Sequence, residues 1–329
     1  MSNEVMLTRI RLARNLRKYP FPSRLSQSGK NEVCKVIIDA VKNCNSPLIN
    51  ELEILYLKDL SEAQKIALVE QHLASPEFIS DTAGRAIILS KDRTMSVMIN
   101  EEDHIRLQIL KKGFDLEGAY DIADKLDTLL DENLDFAFDK KLGYLTQCPT
   151  NLGTGMRASV MLHLPALQSN RAIGRIAGNL SKLGLTIRGT YGEGTEPKGA
   201  MYQLSNQVTL GISEKSAIEN LRNIAEQLIT QEQNAAKRIA ESLETKDKFY
   251  RSLGILRSAR LISGDEAMEL LSNVRFGINS GELKDIDLDT VDRLIVDIQP
   301  ATLIVGKGEK LSPSERDAVR ADLIRDRLG

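Results

Sequence analysis

The chain has 329 residues, 42% of them hydrophobic, and a formal net charge of −2. That length predicts about two domains. The near-neutral charge offers no footprint for nucleic acid or an anionic membrane surface, and no run of about 18 apolar residues marks a membrane-spanning helix. Met1–Leu12 is mixed and charged, without the apolar core of a secretion signal. Tryptophan is absent and aromatics make up 4%, so stacking platforms for single-stranded nucleic acid are not expected. The three cysteines (Cys34, Cys44, Cys148) are odd in number and lack metal-ligand spacing, and only three histidines are present. A reduced, cytoplasmic compartment and no protein-built metal site are expected.

Leu7–Leu12 reads as a short strand. Val33, Val36, Ile37, Ala40 and Val41 recur at helical spacing over residues 31–43. Ser61-Glu62-Ala63-Gln64 has the form of a capping box and starts a helix running to about Leu73. Ala86–Leu89 and Met95–Ile99, separated by Ser90-Lys91-Asp92-Arg93, read as a hairpin. Helices are expected at 103–112 and 116–132, strands at 143–147, 157–164, 185–190 and 200–204, and a helix at 168–183. After about Ser213 the pattern turns helical, with segments at 214–243, 247–260, 264–275, 287–297 and 313–328; Leu303–Val305 is ambiguous. The fold class is α+β, an antiparallel sheet flanked by helices over residues 1–245, followed by an all-α domain over 246–329.

Gln147–Met161 places two glycines, Gly153 and Gly155, ahead of Arg157 and a β-prone run. Glycine permits close backbone approach, and arginine presents a planar fork of donors that suits phosphate. A tight turn between strands explains the same residues. Arg9 and Arg11 alternate on the first strand and share a face, with Ile10 and Leu12 turned to the core; Arg14 and Arg17 break the alternation and read as surface. Asn100-Glu101-Glu102-Asp103-His104-Ile105-Arg106 follows a strand and is read as opening a helix, where acids complement the dipole, but Arg106 is not explained that way. Arg188-Gly189-Thr190-Tyr191-Gly192-Glu193 leaves another strand as a loop with an acid and hinge-like glycines. Separate segments thus supply Arg9, Arg11, Arg106, Arg157 and Arg188, and two supply Glu102 and Glu193. No Gly-x-x-x-x-Gly-Lys-Ser/Thr loop and no His-Arg-Asp or Asp-Phe-Gly motif is present. Cations around a migrating phosphoryl group, with two carboxylates able to pair bidentately with a guanidinium, form a different solution to phosphoryl transfer.

Asn-Glu-Glu-Asp-His-x-Arg, Cys-Pro-Thr-Asn-Leu-Gly-Thr-Gly-x-Arg and Arg-Gly-Thr-x-Gly-Glu occur together and in order. In these the chain resembles the ATP:guanido phosphotransferases, the family of creatine and arginine kinases, over about residues 5–235. Within the family it is similar to the bacterial subgroup that phosphorylates arginine side chains of proteins. Arg9 and Arg11 come almost at the start, so the helical domain that precedes the catalytic domain of small-guanidine kinases is not expected here. Arg316-Asp317-Ala318-Val319-Arg320-Ala321 resembles that subgroup's phosphoarginine-binding motif, in which Arg316 and Arg320 would grip a phosphate and Asp317 a guanidinium; an ordinary charged helix has the same spacing.

The resemblance implies that Thr8, Arg9, Ile10, Arg11, His72, Arg106, Arg157, Ala158, Ser159, Val160, Met161 and Arg188, with the loop Gly189, Thr190, Tyr191, Gly192 and Glu193, bind ATP. It implies that Mg2+ accompanies the nucleotide without a protein ligand, and that Glu102 and Glu193 are catalytic. Cys148 matches the family's reactive cysteine, either polarising the acceptor or packing as a small apolar residue. Implied partners are arginine-bearing protein substrates, a zinc-binding activator protein, a heat-shock repressor, a Clp-type unfoldase–protease and a second copy of the chain in a dimer. Two rival readings are a kinase for a free small guanidine and a catalytically silent phosphoarginine-binding adaptor.

Overall fold

The computed structural model describes residues 2–43, 52–189 and 197–329. Ten strands and twelve α-helices lie among these residues. Eight strands form one sheet in the order β2-β3-β4-β5-β1-β8-β10-β9. They are β1 (Val5–Arg14), β2 (Leu52–Tyr56), β3 (Ala86–Ser90), β4 (Met95–Ile99), β5 (Ile105–Lys112), β8 (Met156–His163), β9 (Leu185–Gly189) and β10 (Met201–Asn206). The small hairpin β6 (Phe138–Asp139) and β7 (Gly143–Tyr144) stands apart. The β2–β3, β3–β4, β4–β5 and β5–β1 pairs are antiparallel.

Contacts divide the chain into two units. The larger comprises Leu7–Val160 and Ser205–Asn223. It holds α1 (Gln27–Asn43), α2 (Glu62–Glu70), α3 (Pro76–Ile79) and α4 (Leu116–Leu134). Ser61 caps α2 in a full capping box, its hydroxyl accepting from Gln64 N while the Gln64 side chain accepts from Ser61 N. Leu57, Leu68, Leu73, Phe78, Ile87, Leu89, Met98 and Leu110 pack together with little or no exposure; at about 1.5–3 kcal/mol per buried apolar side chain, this cluster holds α2 and α3 against the sheet.

The second unit comprises Met1–Met6, Met161–Leu204 and Ile224–Gly329. It contains α5 (Pro165–Ser169) and α6 (Ile173–Lys182), then α8 (Leu243–Ser258), α9 (Gly264–Asn279), α10 (Leu288–Asp297), α11 (Pro300–Lys307) and α12 (Pro313–Leu328). The long helix α7 (Glu214–Ala240) starts in the larger unit and ends in this one. Phe249 and Phe276 meet edge to face at 5.1 Å in the helical core.

Four expectations need correction. Residues 105–112 form a strand, not a helix: Ile105, Leu107 and Ile109 alternate into the core and pair with both β4 and β1. The helix expected at 168–183 is two helices, broken where Arg171 takes φ 54°. The ambiguous Leu303–Val305 belongs to α11. Arg14, read as surface, is 2% exposed; its guanidinium donates to Asp127 Oδ2 from Nε at 3.0 Å and Nη2 at 2.7 Å and lies 3.4 Å from the Tyr144 ring centroid.

Candidate active site

The site is built from the alternation of β1. Ile10 and Leu12 are fully buried, so Arg9 and Arg11 share the opposite face. Arg106 sits on the neighbouring strand β5, opposite Ala13, and Arg157 on β8, the strand flanking β1 on its other side. Three adjacent strands therefore bring four guanidiniums together. Burial, followed by the charges of Arg106 and Arg157, lowers the Arg9 pKa to about 10. Burial and the charges of Arg9, Arg106 and Arg157 hold Arg11 well below its usual value, opposed by Glu101. Mutual depression of this kind is stored repulsion, and a polyanion between the guanidiniums relieves it. Among the described residues Arg11 Nε is buried without a hydrogen-bond partner, and Arg9 Nε points to Ser159 Oγ at 3.5 Å. The donor set fits the phosphates of a nucleotide.

Glu101 carries the counter-charge. Its carboxylate accepts two hydrogen bonds from Arg106 Nη1, at 2.5 and 2.6 Å, and one from the Ser75 hydroxyl. Burial works against the carboxylate, but Arg106, the Ser75 hydrogen bond and the Arg11 charge outweigh it and keep the group ionised.

Residues 100–104 form a tight turn between β4 and β5, with Asn100 at φ 61°. The acids are therefore not a helix start. Asp103 is a tie: its Oδ1 accepts from Asn15 Nδ2 at 2.6 Å and from Gln147 N at 2.8 Å. Asn15 Nδ2 also donates to Leu145 O at 2.9 Å, and Asn15 Oδ1 accepts from His104 N at 2.9 Å. This network fixes the 145–151 segment beside the turn and brings Cys148 and Asn151 to Glu102, with Asn151 Nδ2 donating to Glu102 Oε2 at 3.5 Å. Burial, Asp103 and Glu101 raise the Glu102 carboxyl above its usual range, against Arg106 and the Cys148 contact. A carboxylate with raised basicity, exposed at the rim of an arginine cage, is equipped to take a proton.

The glycines before Arg157 serve the protein rather than a ligand. A Cβ on Gly153, at φ 109°, would lie 2.3 Å from Thr209 O; on Gly155, at φ 60°, it would lie 2.6 Å from Arg14 Nη1. Gly155 O accepts from Ala13 N at 2.8 Å, which seats the loop against β1 ahead of Arg157.

Other expected site residues divide. Burial and the Arg9 charge lower His72 to about 4, which places it beside the cage, and its carbonyl accepts from Gln108 Nε2 at 2.7 Å. Thr8 and Ile10 face away from Arg9: the Thr8 hydroxyl donates to Gly113 O at 2.6 Å and accepts from Asp115 N, and Ile10 is core. Ala158 and Val160 are fully buried on β8, and Ala158 N donates to Asn206 Oδ1 at 2.7 Å. Met161, Arg188 and Gly189 belong to the second unit, with Arg188 exposed on β9. Thr190, Tyr191, Gly192 and Glu193 lie outside the described residues. In α12, Arg320 is 2% exposed and donates to Ile298 O at 3.0 Å, Ile262 O at 2.8 Å and Asp317 Oδ1 at 2.6 Å, while Arg316 is half-buried. Among the described residues no group of three His, Cys, Asp or Glu side chains is placed to hold a metal ion.

Sequence reasoning missed the roles of Asn15, Ser75, Glu101, Asp103 and Asn206. Glu101 and Asp103 were visible only as an acidic run, and the alternation of Ile105, Leu107 and Ile109 was the signal that would have put that run in a hairpin turn.

Comparison with known proteins gives the family. Residues 32–235 match the family model "ATP:guanido phosphotransferase, C-terminal catalytic domain", and residues 242–329 match "Protein-arginine kinase McsB C-terminal domain". The chain is 47% identical to a protein-arginine kinase of Halothermothrix orenii, covering 98% of this chain and 93% of that one. It is 46% identical to one of Clostridium kluyveri, covering 98% and 94%. Among solved structures, a lombricine kinase aligns with TM-score 0.63 at 27% identity over 71% of this chain and 67% of that one. The duplicated taurocyamine kinase of Schistosoma mansoni, with bound transition-state-analogue components, aligns with TM-score 0.65 at 28% identity over 78% of this chain and 39% of that one. The chain belongs to the ATP:guanido phosphotransferase family, among the protein-arginine kinases.

Proposed function

We propose that this chain transfers the γ-phosphoryl group of ATP to the guanidinium of arginine residues in proteins. The observation that carries the reading is the meeting of Arg9, Arg11, Arg106 and Arg157 from three adjacent strands, with Glu102 and Cys148 held at their edge. The nucleotide phosphates occupy the cage and relieve its repulsion; Mg2+ accompanying them would be held by phosphate oxygens and water and would add to the charge stabilisation. Ser159 orients Arg9, and Glu101 orients Arg106.

A guanidinium is protonated in water, so its attacking nitrogen must give up a proton. Glu102 accepts it. The nitrogen lone pair then forms the P–N bond as the bond from the γ-phosphorus to the bridging oxygen breaks, and ADP leaves with that electron pair. Arg9, Arg11, Arg106 and Arg157 stabilise the charge spread over the transferring group. Glu193 clamps the other edge of the guanidinium, and Arg188 is a further phosphate-binding residue. Cys148, in contact with Glu102, polarises the acceptor and does not form a covalent intermediate, because the guanidine attacks ATP directly.

Protein-bound rather than free arginine is the acceptor; the likeness of the whole length to protein-arginine kinases supports this. The helical region after residue 245 binds phosphoarginine, with Arg316 as the cation available for it, since Arg320 is engaged by carbonyls and Asp317. A zinc-binding activator, a heat-shock repressor substrate, a Clp-type unfoldase–protease and a homodimer in the cytoplasm complete the reading. The test is phosphorus NMR of an unfolded protein substrate and of free arginine after incubation with Mg-ATP, with Glu193→Ala as control. An acid-labile P–N resonance on the protein is expected. Labelling of free arginine alone would establish a small-guanidine kinase instead, and no labelling of either would leave the adaptor reading.

A further inference from the structure

The second unit contains a cavity of about 430 Å3 that shares no residue with the arginine cage. That volume lies within the usual range for small-molecule sites. Four carboxylates line it (Glu4, Glu232, Glu241, Glu282) against two lysines, Lys237 and Lys246. One lysine is already used: Lys246 pairs with Glu282 at 3.0 Å. The remaining balance is acidic.

The built-in polar groups point to a ligand more specifically. His163 lines the cavity and has no solvent exposure; its Nε2 meets Ser272 Oγ at 2.8 Å, and its Nδ1 has no partner among the described residues. Asn279 also lines it. Its Nδ2 reaches Asn3 O at 3.5 Å, while its Oδ1 is buried without a partner among the described residues. Burial and the nearby Arg275 keep His163 neutral, and Arg275 is itself neutralised by Asp292 at 2.6 Å. In the tautomer whose Nε2–H donates to Ser272 Oγ, the Nδ1 lone pair is an acceptor. Glu232 accepts from Ala166 N and Leu167 N at 2.7 and 2.9 Å, and burial raises it to about 7. Glu4 accepts from Gln233 Nε2 at 3.1 Å. The unmet need here is for N–H donors carrying positive charge.

We propose that this cavity binds a small organic cation with several N–H donors, an alkylguanidinium or alkylammonium, held by the carboxylates of Glu4 and Glu232, Asn279 Oδ1 and His163 Nδ1. A buried imidazole nitrogen and a buried amide oxygen without partners destabilise the empty cavity, and such a ligand satisfies both. The carboxylates supply the charge partner that a cation needs on leaving water.

Isothermal titration with agmatine, which carries a guanidinium and an ammonium, tests this on the full chain. The variants are Glu4→Gln, which removes a cavity charge, Ala236→Phe, which fills the cavity without touching a charge, and Glu102→Gln, which disables the acceptor end of the phosphotransfer site. Binding at millimolar or lower Kd is expected in the wild type. It should survive in Glu102→Gln and weaken by about tenfold or more in both cavity variants, with circular dichroism verifying their folds. If Glu4→Gln fails to fold, Ala236→Phe decides. Absence of binding to the wild type, loss in Glu102→Gln, or unchanged affinity in the cavity variants would overturn the proposal.

Discussion

Replacing Glu101 with glutamine separates the cage's stability from its function. The carboxylate is almost buried, with 3% side-chain exposure, and holds Arg106 through two hydrogen bonds at 2.5 and 2.6 Å. Hydrogen bonds to charged groups contribute about 1.5–3 kcal/mol each. The amide keeps one acceptor oxygen, so roughly one such bond and the ion-pair attraction are lost, with the attraction screened because Arg106 is 23% exposed. A cost of about 2–3 kcal/mol follows, and for a domain of this size that lowers Tm by about 4–12 °C. The repulsion among Arg9, Arg11, Arg106 and Arg157 grows at the same time, because the charge that opposes it at Arg11 is gone. Excess ADP should therefore raise the Tm of Glu101→Gln by more than it raises the wild type, since bound phosphates replace the missing counter-charge. Differential scanning calorimetry with and without ADP reads both quantities. A variant melting within about 2 °C of the wild type, with an equal shift on ADP, would refute the view that Glu101 balances the cage.

Glu102→Ala should abolish phosphotransfer while leaving ATP affinity within about threefold, measured by titration; near-normal turnover would remove Glu102 from the proton-accepting role. Because Glu102 titrates above the usual carboxylate range and must be ionised to act, kcat should fall as pH drops through that raised value. Burial holds His72 and His104 at about 4, against a reference of 6.5. The unfolded chain takes up protons that the folded state refuses, so stability falls from pH 6.5 towards 4 by up to about 3 kcal/mol per histidine. Glu232, raised to about 7 from 4.5, acts in the opposite direction, favouring the fold at low pH and losing that contribution as pH rises. The histidines outweigh it, and urea unfolding across that window should show a net gain with pH. Arg320→Ala leaves Ile262 O and Ile298 O without their donor and should destabilise the chain by about 2–4 kcal/mol in chemical denaturation, whereas Arg316→Ala should leave stability unchanged and remove phosphoarginine binding.

Much of the site was readable because strand periodicity is local. Arg9 and Arg11 flank Ile10, and that alternation alone places both guanidiniums on one face. Arg157 was placed by the β-prone run that follows it. The hairpin at 86–99 and the Ser61 capping box were equally legible, since each is specified by neighbours in sequence. Arg106 was misplaced on a helix because three consecutive acids suit a helix N-terminus, and a local rule cannot weigh that against cross-strand pairing with Leu12–Arg14. Arg14 shows the same limit: its burial depends on Asp127, 113 residues away in sequence. Asp103 and Asn15 connect the turn at 100–104 to Gln147, and no spacing rule announces a link of that range. Gly153 and Gly155 were read as admitting a ligand or as making a tight turn; the close neighbours they admit are the backbones of Thr209 and Ala13.

This reassignment of the glycines explains why the cage is built on strands. A glycine-rich phosphate loop uses backbone N–H groups, which carry only partial charge and cost little to hold together. Four guanidiniums repel one another, and flexible loops would let them drift apart into water. On β1, β5 and β8 the positions are fixed by ladders whose stability comes from the buried faces of Ile10, Leu12, Leu107, Ile109 and Val160. The core thus offsets the electrostatic strain of the cage before any nucleotide arrives, and the strain is released when phosphate enters. Glu101 limits that strain in the empty site without filling the space between the arginines, because it holds Arg106 from the turn at the strand end. A site preorganised in this way needs little side-chain rearrangement as negative charge redistributes during transfer. The acceptor edge is held separately, where Glu102 and Cys148 sit on the two loops tied by Asp103. Substitutions at Asp103 or Asn15 should therefore alter use of the acceptor arginine more than affinity for ATP.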